Sequence, residues 1–123
     1  MKIEGLASDL ERIRRVFPSL DAGSENGGWL VIRSYPLPSR YNRGSANVLF
    51  RLFLGLPYHE PHIYVPTGLD LLGIHSMHLD FATEPEMRSK GWKRLCIKMA
   101  WRPEYCLLDV VHLAIDYLNN LTE

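Results

Sequence analysis

Residues 91–121, GWKRLCIKMAWRPEYCLLDVVHLAIDYLNNL, constrain this chain more than any other stretch. Leu107, Leu108, Val111, Ala114, Ile115, Leu118 and Leu121 recur at steps of three and four, so a helix gathers them on one face. Asp109, His112, Asp116 and Asn120 fall on the other. Such a helix must lie on an apolar surface, which the rest of the chain has to supply. Pro103 is expected to open it, because the first helical residue needs no N–H partner. That places the helix near 104–121. Ahead of it, a short loop carries Cys96. A cysteine on irregular backbone just before a rigid helix is how a nucleophile is presented. It is also how an ordinary buried thiol inside the strand-like segment 95–99 would look.

The surface beneath the helix comes from three strand patterns. Residues 29–35 are rich in aromatic and β-branched side chains and stop at Pro36 and Pro38. In 46–54, Val48, Phe50, Leu52 and Leu54 alternate with Leu49, Arg51 and Phe53, so both faces are mostly apolar and the strand should be central. A two-proline turn leads into a short third strand at 62–65, closed by Pro66. Residues 19–28, with Gly23, Gly27 and Gly28, read as a loop, and 39–45 as a polar turn. From 67 to 90 no clean period survives, and 83–90 reads as an exposed loop or helical turn.

At the N-terminus, Ile3, Leu6, Leu10, Ile13 and Phe17 form a helical stripe, and Pro18 stops it. Ser8 and Glu11 have capping-box spacing, so regular helix is expected from Ser8. Arg12, Arg14 and Arg15 crowd its outer side, as a solvated face or as a docking surface for a partner protein. The order predicts an α+β fold: an N-terminal helix, an antiparallel sheet of three or four strands, an irregular segment holding His75 and Cys96, and a long C-terminal helix. With no internal repeat or linker, residues 1–123 read as a single domain.

Charge narrows the function. Lys plus Arg and Asp plus Glu both number 14, which argues against a general nucleic-acid binder. No apolar run approaches the ~20 residues of a membrane span. The opening MKIEGLASDLERIRR is charged where a signal peptide needs an apolar core. A cytoplasmic protein with free thiols is expected.

The chemistry-bearing residues are few. Cys96 would act as a thiolate, which neighbouring cations favour; Lys90, Lys93, Arg94 and Lys98 surround it in the chain. His59-x-x-His62 and His75-x-x-His78 have chelating separation, and Cys96 could add a sulfur. Pro61 breaks the first pair and no Cys-x-x-Cys exists, so no metal is expected. Asp109 and His112 read as a solvated helix pair. Gly-rich phosphate loops, paired carboxylates and serine elbows are absent, and no cofactor is implied.

Two segments together resemble the ubiquitin-conjugating enzymes. Leu56-Pro-Tyr-His-Glu-Pro-His-Ile-Tyr-Val65 is similar to that family's Tyr-Pro-Phe-x-Pro-Pro-x-Val-x-Phe turn and strand, with Glu60 in place of one proline. Trp101-Arg-Pro-Glu-Tyr-Cys-Leu107 is similar to its Trp-x-Pro-x-Leu-Thr-Ile, which opens the helix behind the active site. The resemblance implies a ubiquitin-conjugating-enzyme-like fold in which Cys96 is the thioester-forming cysteine and Cys106 takes a structural threonine's place. The family's His-Pro-Asn motif, whose Asn supports the oxyanion, has no counterpart: no Asn occurs between Val48 and Leu118. His75-Ser-Met-His78 is the nearest candidate, so His75, His78 or backbone N–H groups would serve as donors. The compact length resembles bacterial stand-alone relatives in anti-phage operons. By analogy, the partner would be a nucleotidyltransferase resembling cyclic GMP–AMP synthase, or a ubiquitin-like protein with its activating enzyme. The competing expectation is a catalytically inactive module of the same fold that only binds a partner.

Overall fold

The apolar alternation around residue 50 becomes the middle of an antiparallel meander. The computed structural model describes residues 1, 3, 5–56, 58–73, 76–97 and 101–122. Among them, β1 (Leu20–Gly23), β2 (Trp29–Pro36), β3 (Ser45–Arg51), β4 (His62–Pro66) and β5 (Trp92–Arg94) form one sheet in chain order. Helix α1 (Leu6–Val16) precedes the sheet, short α2 (Pro85–Ser89) lies between β4 and β5, and α3 (Leu107–Asn120) follows. The α+β class, the antiparallel pairing and the two terminal helices agree with the sequence reading.

The sheet has five strands, not three or four. The two unforeseen strands are its edges. β1 arises inside the glycine-rich stretch expected to be a loop, and pairs Leu20 with Ile32 through Gly23 with Trp29. Only Leu20 of its four residues is buried, so no alternation announced it. β5 is three residues long and pairs Trp92, Lys93 and Arg94 with Pro66, Val65 and Tyr64. A strand this short has no pattern of its own; it forms because β4 offers unpaired N–H and C=O groups along its free side.

β3 is central, between β2 and β4, as its two apolar faces required. Leu30, Ile32, Val48, Phe50, Leu52, Ile63 and Val65 pack in the main core with Ile13 of α1 and Leu107, Val110, Val111, Ala114 and Leu118 of α3. Val31, Leu49 and Tyr64 face the opposite way, under Met87 of α2 and beside Trp29 and Trp92. With both faces covered, β3 and β4 carry almost continuous apolar runs.

Helix α3 begins at Leu107, and Pro103 does not open it. Pro103 instead takes the second place of a turn closed by the Tyr105 N–H donating to Arg102 O (3.0 Å), a position that suits its fixed φ. The orphan donors of the first helical turn are met in two ways. The Asp109 carboxylate accepts from the Cys106 N–H (3.1 Å) and thiol (3.2 Å). The Leu107 N–H donates to Asp9 Oδ2 of α1 (3.1 Å), which is buried. The outward residues Asp109, His112, Asp116 and Asn120 are exposed as their period predicted.

Helix α1 starts at Leu6 after Gly5 in the left-handed region (φ 79°), so the Ser8 capping box is not used. Ile3 is exposed rather than part of the stripe, and Asp9 takes a buried place on the inner side. Among the described residues no helix is long and apolar enough to cross a membrane.

Candidate active site

Cys96 follows directly on the edge strand. Leu95 N–H donates to Ile63 O (2.9 Å), extending the β4–β5 register by one residue, and Leu95 itself is buried in the main core. In extended backbone alternate side chains share a side. Arg94 and Cys96 therefore point together, away from Leu95. Their N–H groups turn outward to the segment before α2: Arg94 N–H donates to Thr83 Oγ1 (2.8 Å) and Cys96 N–H to His78 O (2.8 Å). Phe81 N–H closes this rim by donating to Arg94 O (2.9 Å). Cys96 is thus neither in a free loop nor inside a regular strand, and its side chain is half-buried.

Beside it opens a cleft of about 310 Å³. Pro61, Ile63, Phe81, Leu95 and Ile97 give it apolar walls, and Cys96, His62, Arg94 and Glu60 give it chemistry. His78 is adjacent through its carbonyl, while its side chain is exposed. His75 and Lys98 lie outside the described residues. Of the other cations expected around the thiol, Lys93 is buried with Nζ 3.5 Å from Asp70 Oδ1, and Lys90 is exposed with Nζ 3.4 Å from Glu86 Oε1. Among the described residues, Arg94 is the one of the four that lines the cleft.

A polar cluster adjoins the cleft on the sheet surface. Arg51 of β3, His62 and Tyr64 of β4 and Arg94 of β5 surround Glu84, which caps α2. The Tyr64 hydroxyl donates to Glu84 Oε2 in a short hydrogen bond. Arg51 Nη1 lies 3.4 Å from the same oxygen, and Arg94 Nη1 lies 4.0 Å from Oε1, beyond hydrogen-bond length. His62 Nδ1 is 3.4 Å from Tyr64 Oη and 3.9 Å from Glu84 Oε2. Phe53 stacks on His59 (centroids 3.9 Å apart) and meets the His62 ring edge-on (4.8 Å).

The environment sets the protonation states. Burial, then the Arg94 charge, pushes His62 down to about 4 against the opposing pull of Glu84, with His59 and Arg51 adding to the downward shift. The imidazole is neutral at neutral pH. Burial acts upward on Glu84, but the Tyr64 hydrogen bond, its own N–H and the charges of His62 and Arg94 hold its carboxyl below the usual range. Burial, and next the Cys96 side chain, raises Tyr117 of α3 to about 12. Cys106 is exposed at the start of α3, where burial and the charges of Asp109 and Asp9 push its thiol up.

Sequence reasoning singled out Cys96 but not the roles of Arg94, His62, Tyr64, Glu84 and Tyr117. His62 was weighed only as a metal ligand with His59. Among the described residues no three His, Cys, Asp or Glu side chains converge as a metal-holding group. The spacing Arg94-x-Cys96 held a signal, but only for a reader who knew the backbone there to be extended. Compared with family models, curated proteins and solved structures, the chain matches none.

Proposed function

We propose that Cys96 forms a thioester with the C-terminal acyl group of a partner protein and passes it to an amine or to water, as a ubiquitin-conjugating-enzyme-like protein would. The observation that carries this reading is the placement of Cys96. The thiol lies in a cleft wide enough for a terminal side chain, on the same side of the backbone as the Arg94 guanidinium, at the end of an edge strand. Acyl transfer to sulfur asks for a positioned thiolate and a donor to the tetrahedral oxyanion. Arg94 supplies a donor where the resembled family uses Asn, and the 75–78 segment is the second source. Carried over by analogy, the partner is a nucleotidyltransferase resembling cyclic GMP–AMP synthase, in cytoplasmic anti-phage defence. A ubiquitin-like protein with its activating enzyme is the alternative partner.

The competing reading is a catalytically inactive binding module. It draws on the pairing of Lys90 and Lys93 with their own carboxylates, which leaves the thiol fewer cations than its sequence neighbours promised. Co-expression with partner candidates, run on gels without reductant, separates the two. A reductant-sensitive adduct is expected with the wild type and with Cys106→Ala, and its loss with Cys96→Ala. Cys96→Ser should trap an oxyester, because an alkoxide leaves less readily than a thiolate. An adduct that persists in Cys96→Ala rules out this cysteine; no adduct with any candidate favours the binding module.

A further inference from the structure

We propose that His62 is the proton acceptor for Cys96, with Tyr64 and Glu84 as its positioning residues; this rests on the reading of Cys96 as a nucleophile. Strand register brings the two residues together. Tyr64 pairs with Arg94, and Leu95 N–H reaches Ile63 O. Carried one residue further, the same register sets His62 across from Cys96, and both line the cleft. Opposed residues on one face of an antiparallel pair have Cβ atoms about 5 Å apart, within side-chain reach.

The ring's orientation follows from its partners. The Tyr64 proton is committed to Glu84, so Tyr64 Oη accepts rather than donates toward the imidazole. Nδ1 therefore carries the hydrogen, and Nε2 keeps a free lone pair. Phe53 and His59 pack against the ring and restrict its rotation. A nucleophile, a base and a third group that orients the base is the general arrangement of an activated thiol.

Cys96 Sγ forms a bond to the carbonyl carbon of an activated acyl donor, a thioester, while its proton moves to His62 Nε2. The tetrahedral intermediate collapses, the donor's sulfur leaves with the bonding electron pair, and the imidazolium returns the proton to it. The charged groups that face His62 act in both directions. Arg51, Arg94 and His59 disfavour the imidazolium and Glu84 favours it, while the Tyr64 hydroxyl faces the ring and Glu60 lies on the cleft wall. The imidazole is neutral at rest and only weakly basic, so it takes the thiol proton as the C–S bond forms and not as a resting ion pair.

The test uses the full chain carrying Cys106→Ala, so that Cys96 is the only thiol. A small acetyl thioester is the probe, and intact mass reports acylation from pH 5 to 9. His62→Gln should slow acylation by about 10²-fold. It should also turn a shallow pH profile into one that rises about tenfold per pH unit, as hydroxide replaces the lost base. Tyr64→Phe should slow acylation by less and keep the shallow profile. An unchanged rate and profile in His62→Gln overturns the assignment. If that variant fails to fold, the parent in heavy water decides: a clear slowing is expected, and none overturns it. Acylation of Cys96 no faster than free cysteine overturns both this inference and the thioester reading. Fast, His62-dependent acylation without any partner adduct overturns only the latter.

Discussion

His62 couples the chemistry of the cleft to the stability of the fold. Its folded pKa of about 4 lies below the ordinary 6.5, so protonation works against the native state. The stability tied to this group is whole above about 6.5 and is lost as pH falls toward 4. A shift of this size corresponds to about 3 kcal/mol. Urea midpoints of the wild type should fall between pH 7 and 4.5, and His62→Gln should flatten that fall. Glu84, whose carboxyl is held low, keeps its contribution above its unfolded value and loses it at still lower pH. An equal pH dependence in both proteins would show that the shift does not belong to the partly buried His62. Cys106 has the opposite character: its thiol is held protonated at the mouth of α3, donating to Asp109.

At the scale of elements, α1 and α3 are joined by a capping bond rather than by apolar contact alone. Asp9 of α1 accepts from the first N–H of α3, and a carboxylate at a helix N-terminus is favoured by the aligned peptide dipoles as well. Asp9→Ala should cost about 1–2 kcal/mol, since it removes a cap and leaves a buried donor unpaired. Ser8→Ala should be close to neutral, because Ser8 is exposed and caps nothing. Thermal or urea unfolding of the two variants checks the contrast. A larger loss with Ser8→Ala would restore the capping box that the sequence suggested. β5 illustrates a different dependence. It is held by β4 on one side and by Thr83, Phe81 and His78 on the other, so the position of Arg94 and Cys96 is set by neighbours remote in the chain.

At the scale of the molecule, the sheet is buried on both faces, with the larger core between it and the two long helices. Val111 is 1% exposed at the centre of that core. Val111→Asp would leave an unpaired charge there and cost about 3–5 kcal/mol, a large share of the about 5–15 kcal/mol that holds an ordinary domain. Unchanged thermal unfolding of that variant would mean that α3 does not lie on the sheet. The candidate site sits at the start of β4 and the end of β5, where the second face gives way to the cleft.

The α+β order, the buried face of α3 and the central place of β3 were legible in the sequence. Each is written locally: three- and four-residue steps from Leu107 to Leu118, and a run from Val48 to Leu54 that is apolar on both faces save for Arg51. Helix boundaries were less so. Pro103 suits a turn as well as a helix start, and Asp9 caps a helix far from it in the chain. Cys96 could be singled out from its position before Trp101 and Pro103, but its surroundings could not. Of the cations beside it in sequence, Lys90 and Lys93 were drawn to Glu86 and Asp70, while Arg94 and residues of β4 line the cleft. Local patterns determine which face of an element is apolar. The register between strands, which pairs Tyr64 with Arg94, and the placing of Glu84 beside Tyr64 are decided only when those faces pack and the backbone groups pair.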